Sequence, residues 1–189
     1  MINVHRRVIA ASAEEIRPWI ESAWSATERD IFPRDAIRSW RKNPPGIEPL
    51  ALIPGVTRVG HGMFSFRVEA WDGTFWRARI ESDQYRGWQG FDLRPIGDAC
   101  ELTHTVECDL QGAGRVFWPA FIGPIHDWCI EAIFDRLECA LRTGTVPATT
   151  ERPMPLRTAM GLKALRAAIR AGALRLETAR RPAPNVVRA

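Results

Sequence analysis

The sequence predicts an α+β fold in which a curved antiparallel β-sheet wraps around one long C-terminal α-helix, with two short helices after the first strand. The segment from Pro124 to Arg142 has helical periodicity, and apolar residues cover most of its circumference. The segments between Gly62 and Leu110 alternate apolar and polar residues, which is typical of antiparallel strands with one wet face. A helix that is apolar on most sides and a sheet that is apolar on one side bury each other.

The long helix has clear ends and one narrow polar stripe. Pro124 suits a first helical turn, and Gly144 suits the left-handed position just past the end. The polar stripe consists of Asp127, Glu131, Asp135, Glu138 and Arg142. His126 and Arg136 interrupt the apolar arc instead, so they either reach past the core or face something inside that needs a polar group.

The start of the chain predicts a strand followed by two short helices. Residues 2–10 are rich in β-branched side chains and indicate the strand. Ser12 and Glu15 have capping-box spacing, which favours a helix from about Ala13 to Ser22. A second short or broken helix is predicted between Ser25 and Phe32.

The middle of the chain changes from weak to strong strand signals. Residues 36–42 indicate a strand, and the stretch from Asn43 to Gly62 predicts a loop or an irregular edge. Asp72 and Gly73 predict a two-residue hairpin turn. The alternation predicts these inward side chains: Phe64, Phe66, Val68, Ala70, Trp76, Ala78, Ile80, Cys100, Leu102, His104, Val106, Cys108 and Leu110. The strand that contains both Trp88 and Phe91 is ambiguous, because these two residues point to opposite sides.

The composition is that of an ordinary globular protein, with 46% hydrophobic and 25% charged residues. The N-terminus has no apolar run of signal-peptide length, and no segment approaches the roughly 20 apolar residues that span a bilayer. We therefore expect a cytoplasmic protein without an integral membrane segment. The cysteines lack metal-ligand spacing, so buried thiols and no metal site are predicted for Cys100, Cys108, Cys129 and Cys139.

The basic excess belongs to the C-terminal tail. From Glu151 onward the chain has nine basic and two acidic side chains, whereas the rest has 17 basic and 20 acidic ones. The body is therefore not expected to bind nucleic acid. We predict a ligand-binding domain at 1–144, a linker at 145–155 and a basic tail with a helix at 156–189. Transient contact of this tail with a membrane surface stays open, and truncation after about Gly144 is expected to leave the fold intact.

Four stretches together carry a family resemblance: ASAEEIRPWI after the opening strand, GHGMFSFRVEAWDGTFWRARIES, ELTHTVECDL and HDWCIEAIFDRLECAL. Over about residues 2–143 the chain resembles the START-like helix-grip superfamily, also called the SRPBCC group, and within it the polyketide cyclase/dehydrase and lipid-transport proteins. The resemblance implies a hydrophobic cavity between the sheet and the last helix. It implies a small apolar ligand, such as a lipid or a polyketide-like molecule. No cofactor is predicted.

Enzymatic activity is left open. A polyketide cyclase, dehydratase or aromatase is one alternative, and a structural or regulatory module whose cavity is filled by its own aromatic side chains is another. No nucleophile motif, phosphate-binding loop or informative carboxylate pair is present in the sequence. His104 is a weak candidate for an acid or base, against the alternative of a hydrogen-bonded core histidine.

Aromatic and interrupting polar residues form the candidate ligand-binding set. Its members are Trp40, Phe64, Phe66, Trp76, Trp88, His104, His126, Cys129, Ile133 and Arg136. A buried guanidinium requires an acid or an anionic ligand group. We therefore expect Arg136 either to pair with Asp92 or to frame the polar end of a ligand together with it.

Overall fold

One antiparallel sheet organises the computed structural model, which describes residues 1–22, 31–33, 54–55, 58–61 and 64–170. Its strands are β1 (Ile2–Ile9), β2 (Arg58–His61), β3 (Phe64–Trp71), β4 (Phe75–Ile80), β5 (Tyr85–Ile96) and β6 (Ala99–Leu110). They are hydrogen-bonded in the order β1-β6-β5-β4-β3-β2. The first strand of the chain is therefore an edge strand, and it pairs with the last.

The helices follow at the two ends of the strand run. They are α1 (Ala13–Ser22), α2 (Gly114–Phe117), a π-helical turn (Trp118–Ile122), α3 (Gly123–Thr143) and α4 (Leu156–Arg170). The largest cluster of buried apolar residues joins strand side chains with Ile130, Ile133, Phe134 and Leu137 of α3. The predicted α+β architecture, a sheet packed around a long helix, is confirmed.

The ends of α3 agree with the sequence signals. Pro124 is the second residue of the helix and lies in its first turn, as predicted. Gly144 has φ 76° and donates its N–H to the Ala140 carbonyl oxygen at 2.8 Å. The segment before α3 is also helical, and Pro119 lies in the π-helical turn, where the regular hydrogen-bond ladder is interrupted.

The predicted capping box starts α1. Glu15 donates its N–H to Ser12 Oγ at 3.3 Å, and Ser12 donates its N–H to Glu15 Oε2 at 2.8 Å. Most of the predicted second helix between Ser25 and Phe32 lies outside the described residues. Ile31 and Phe32, its described residues, are not helical. The strand predicted at 36–42 lies outside them entirely.

The structure refines two local expectations in the sheet. The stretch from Asn43 to Gly62 was predicted as a loop or an irregular edge, and its end forms the short edge strand β2, paired with β3. The predicted two-residue hairpin turn joins β3 and β4, but it is shifted by one residue: Trp71 lies opposite Trp76, and Asp72 donates its N–H to the Phe75 carbonyl oxygen at 3.3 Å, which leaves Gly73 and Thr74 in the turn. The Asp72 carboxylate accepts the N–H groups of Thr74 and Phe75 at 2.8 and 2.7 Å and stabilises this turn.

The two faces of the sheet separate as the alternation predicts. Trp76, Ala78 and Ile80 are buried on β4, and the inward set of β6 is buried from Cys100 to Cys108. On the outer face, arginines and glutamates in or directly after β3 and β4 form ion pairs, including Arg67 with Glu81 at 2.9 Å. These pairs confirm a solvated ladder on that face.

The C-terminal segment packs on the side of α3 that faces away from the sheet. Leu162 of α4 is buried in a second apolar cluster with Ile125, Trp128, Cys129 and Ala132. Trp128 Nε1 donates to the Pro153 carbonyl oxygen at 3.2 Å, so the residues predicted as a linker also contact α3. Within the described part of the chain, no helix is both long enough and apolar enough to cross a bilayer.

Candidate functional site

A continuous row of ring side chains lies between the sheet and the helices that pack on it. The neighbouring ring centroids are Phe64–Tyr85 at 5.0 Å, Tyr85–Trp118 at 6.1 Å, Trp118–His126 at 5.7 Å, His126–His104 at 5.1 Å, His104–Phe91 at 4.6 Å and Phe91–Trp76 at 6.0 Å. Phe66 joins the row through Phe64 at 6.2 Å. We call this set the ring row.

The ring row contains a buried hydroxyl group at one of its junctions. Tyr85 begins β5 and is 2% exposed, and its Oη has no hydrogen-bond partner among the described residues. Burial raises the pKa of Tyr85 to about 12, so this side chain is a neutral phenol. A buried hydroxyl that lacks a partner costs about 1–3 kcal/mol. The Tyr85 Oη position is therefore suited to a polar atom of a bound molecule.

Two histidines form the middle of the ring row. His104 of β6 is buried and pairs in register with Phe91 on one side and with His5 on the other. His126 in the first turn of α3 is also buried, and this burial lowers its pKa, which keeps the imidazole neutral. Ile133 is buried in the same core two turns further along α3. The structure thus brings His104, His126 and Ile133 into one interior.

Three of the predicted site residues lie elsewhere. Trp88 lies on the outer face of the sheet, where the Arg77 guanidinium stacks over its ring at 4.5 Å. Cys129 belongs to the cluster between α3 and α4, and burial raises the pKa of its thiol. Arg136 follows Cys129 on the same helical stripe and donates from Nη1 to Thr150 Oγ1 at 3.2 Å.

The expected pairing of Arg136 with Asp92 was therefore wrong. Asp92 is exposed and alternates with the buried Phe91 and Leu93, so it belongs to the outer face of β5. The stripe of Ile125, Cys129, Ala132 and Arg136 faces the C-terminal segment, because α3 is covered from two sides. The helical pattern alone does not say which apolar stripe faces the sheet.

A polar contact joins the edge strand β1 to the acidic stripe of α3. Inward Asn3, His5 and Arg7 alternate with more exposed residues along β1. Their bonds are Asn3 Nδ2 to Asp127 Oδ1 at 2.9 Å, His5 Nδ1 with Glu131 Oε1 at 2.9 Å, His5 Nε2 with Asp127 Oδ1 at 3.2 Å, Arg7 Nη2 to Glu131 Oε2 at 2.5 Å, Arg7 Nη1 to Asp135 Oδ1 at 2.6 Å and Arg7 Nη1 to Glu138 Oε2 at 3.0 Å. We call this contact the polar seam.

The charges of the polar seam support one another. Burial lowers the pKa of His5, but its bonds to Asp127 and Glu131 outweigh burial and raise this pKa above its ordinary value. Burial raises the pKa of Asp127, but the neighbouring imidazoles and the Asn3 amide outweigh it and hold that pKa well below its usual range. His5 is thus a shared partner of two carboxylates.

The polar seam also holds a group of side chains that could bind a metal ion. His5, His126 and Asp127 each offer one ligand atom, and these atoms lie within 4.8 Å of one another. The sequence predicted no metal site, because its cysteines lack the close spacing of metal ligands. Spacing along the chain cannot indicate this group, since β1 and α3 are far apart in the sequence and only the fold brings them together.

Several solved structures share this architecture at low sequence identity. A protein from Thermobifida fusca aligns over 78% of this chain and 98% of its own, at 12% identity and a TM-score of 0.53. Ara h 8.0201 aligns over 76% and 98% at 11% identity and a TM-score of 0.51. A protein from Nitrosospira multiformis aligns over 76% of this chain and 98% of its own, at 12% identity and a TM-score of 0.51. The chain has the helix-grip fold.

These likenesses concern the helix-grip fold alone. No protein-family model matches the sequence, and no curated protein matches it significantly. The aligned structures are covered almost completely, whereas part of this chain has no counterpart in them. The predicted family resemblance is thus confirmed at the level of the fold.

Within the helix-grip fold, some functional candidates escaped sequence reasoning. Tyr85, the only tyrosine, was not among the candidates, although it is buried at the start of β5. Trp118 was not among them either. His5 lies in a strand whose alternation was visible, but alternation does not reveal which set points inward. Trp40 lies outside the described residues.

Proposed function

We propose that this protein binds a small, mainly apolar ligand between the sheet and α3, with a polar group of the ligand directed at Tyr85. The observation that carries this proposal is the ring row with the unpartnered Tyr85 hydroxyl at one junction. Ligand pockets are typically lined by aromatic side chains with a few well-placed polar groups. The ring row has this composition.

The chemistry of the ring row limits the class of ligand. The aromatic faces favour a flat or apolar body, since each ring offers a large surface for stacking. The neutral Tyr85 phenol can donate to a carbonyl or ether oxygen, or accept from a hydroxyl group. A lipid or a polyketide-like molecule with one oxygen near its apolar body meets both requirements.

Two simple aromatic probes test this proposal. We expect 2-naphthol to bind the full chain and to quench its tryptophan fluorescence in a saturable manner. Tyr85→Phe removes one hydrogen bond, worth about 0.5–1.5 kcal/mol, and should weaken 2-naphthol binding by roughly 2- to 10-fold. Naphthalene lacks the hydroxyl group, and its affinity should stay unchanged in this variant.

Trp88→Phe provides a matched control, because it alters an aromatic residue on the outer face of the sheet. This variant should bind both probes as the original chain does. Failure of both probes to bind the original chain would favour an interior filled by its own side chains. Native mass spectrometry of the purified protein would then show whether a molecule that co-purifies occupies the site.

A further inference from the structure

We propose that His5, His126 and Asp127 form a binding site for a divalent transition-metal ion such as Zn²⁺. His5 Nε2 lies 3.2 Å from Asp127 Oδ1, and His126 Nδ1 lies 3.8 Å from the same oxygen. Tetrahedral zinc with bonds of about 2.0–2.1 Å separates its ligand atoms by roughly 3.3–3.4 Å. These two separations lie on either side of that value, and all three ligand atoms lie within 4.8 Å of one another, so movements of the side chains would close the site.

The state of His126 is an independent observation that points to a ligand. The residue is 7% exposed, and neither ring nitrogen has a hydrogen-bond partner among the described residues. Its distance of 3.8 Å from Asp127 is too long for a hydrogen bond. Leaving a buried polar group unpaired costs about 1–3 kcal/mol. A metal ion bound to one nitrogen of this neutral imidazole would offset that cost.

The surrounding residues form the outer shell that a metal-binding histidine usually has. His5 contacts Glu131 Oε1 through Nδ1 at 2.9 Å, which directs Nε2 towards Asp127. Arg7 holds the second oxygen of Glu131, and Asn3 donates to Asp127. Histidines that ligate metals commonly donate their other N–H group to a carboxylate in this way, which fixes the tautomer and the ring orientation.

The ligand set selects the class of ion. Two imidazoles and one carboxylate suit zinc and its neighbours in the first transition row, whereas magnesium and calcium prefer oxygen ligands. Three protein ligands leave a further position for water or another small molecule. The competing explanation is a purely ionic contact, in which a protonated His5 bridges Asp127 and Glu131 without any metal. The two explanations differ in what happens when zinc is added.

Calorimetric titration of the metal-free full chain with Zn²⁺ tests the site. We expect one ion per chain, and loss of a ligand in His126→Gln or Asp127→Asn should weaken binding by more than about 100-fold, since each removes a direct metal bond. Glu131→Gln alters only the outer shell and should weaken binding by roughly 10- to 100-fold. Thermal unfolding of each variant without metal shows whether it is folded.

Two controls keep the test decisive. His61→Gln removes a histidine from β2, at the opposite edge of the sheet, and should leave zinc binding unchanged. With Co²⁺ as probe, the original chain should give a tetrahedral visible spectrum without a thiolate charge-transfer band, because none of the proposed ligands is a cysteine. The proposal would be overturned if the original chain did not bind Zn²⁺. It would also be overturned if His5→Gln, His126→Gln and Asp127→Asn bound Zn²⁺ as tightly as the original chain.

Discussion

The helix α3 is held by two contacts of opposite chemistry. On one side the polar seam joins its acidic stripe to Asn3, His5 and Arg7 of β1. On another side an apolar seam, formed by Ile125, Trp128, Cys129 and Ala132 with Leu162 of α4, excludes water. The first contact consists of directed charge pairs and the second of buried area. The helix α3 is therefore held by directional polar contacts on one side and by non-directional apolar burial on the other.

The difference has physical consequences. Burial of apolar area stabilises in proportion to the area removed from water, and it responds little to salt or to moderate changes of pH. Half-exposed ion pairs contribute less, and they weaken when salt screens them or when acid protonates a carboxylate. The contributions of the two seams to the free energy of unfolding should therefore differ in their dependence on salt and pH.

Truncation after Gly144 should have the largest effect and concerns the apolar seam. It removes Leu162 and uncovers Trp128 and Cys129, which are now buried beneath the C-terminal segment. The contacts change the earlier expectation of an intact fold, and we expect a loss of more than about 2 kcal/mol in the free energy of unfolding. Urea denaturation of both chains measures this loss.

A chain that ends after Arg170 retains α4 and is the matched control for the truncation. At the level of one side chain, Leu162→Ala should cost about 2–3 kcal/mol, whereas Leu156→Ala should stay within about 0.5 kcal/mol, because Leu156 is 76% exposed. Equal stability of the two truncated chains would show that the apolar seam contributes nothing.

Arg7→Met concerns the polar seam and should have an intermediate effect. Arg7 contacts Glu131, Asp135 and Glu138, so its removal leaves carboxylates that repel one another. We expect a loss of about 1–2 kcal/mol at low salt and a smaller loss at high salt. Arg94→Met breaks an exposed pair with Glu101 on the outer face and should change stability by less than about 0.5 kcal/mol. A loss that does not depend on salt would contradict an electrostatic seam.

Asp135→Asn should have the smallest effect, and this effect should depend on pH. Burial raises the pKa of Asp135, but bonds from Arg152 and Arg7 outweigh it and lower this pKa below its ordinary value of 3.8. A carboxyl group whose folded pKa is lowered stabilises the protein above its unfolded pKa, and the contribution disappears as the pH falls through the folded value.

The original chain should therefore exceed Asp135→Asn in stability by less than about 1 kcal/mol near neutral pH, since solvent screens this partly exposed group. Urea denaturation at a series of pH values should show the difference shrinking below about pH 4, as the carboxyl group becomes protonated. Glu131, Glu138, Arg7 and Arg152 surround Asp135, so the comparison with the variant is needed to isolate its share. A difference that grows as the pH falls would have the wrong sign.

Much of the fold could be predicted because local patterns carry it. The capping box of Ser12 and Glu15, the left-handed Gly144 and the alternation of β4 and β6 are short-range signals that the structure retains. The strand β2 was not predicted as a regular strand, because its four residues follow a stretch rich in proline and glycine. Its pairing with β3 comes from the partner strand and not from its own pattern.

The site was predicted less completely than the fold. Phe64, Phe66, Trp76, His104 and His126 were identified from alternation and from their position on the helix, and they belong to the ring row. Trp88, Cys129 and Arg136 were misplaced, because a sequence pattern groups residues by face but does not say what each face meets. One apolar stripe of α3 faces away from the sheet, because α4 covers it there.

The sequence by itself determined most of the segments that become strands and helices, such as β4, β6, α1 and α3, because periodicity, caps and turns act over a few residues. Only the tertiary structure decided that β1 lies beside β6 and that its inward His5 meets Asp127 and His126. Contacts between residues so distant in the chain depend on how the whole sheet closes on α3. The residues of the proposed metal site therefore come together only in the folded chain. The helix that carries two of them, His126 and Asp127, can be predicted from its local sequence.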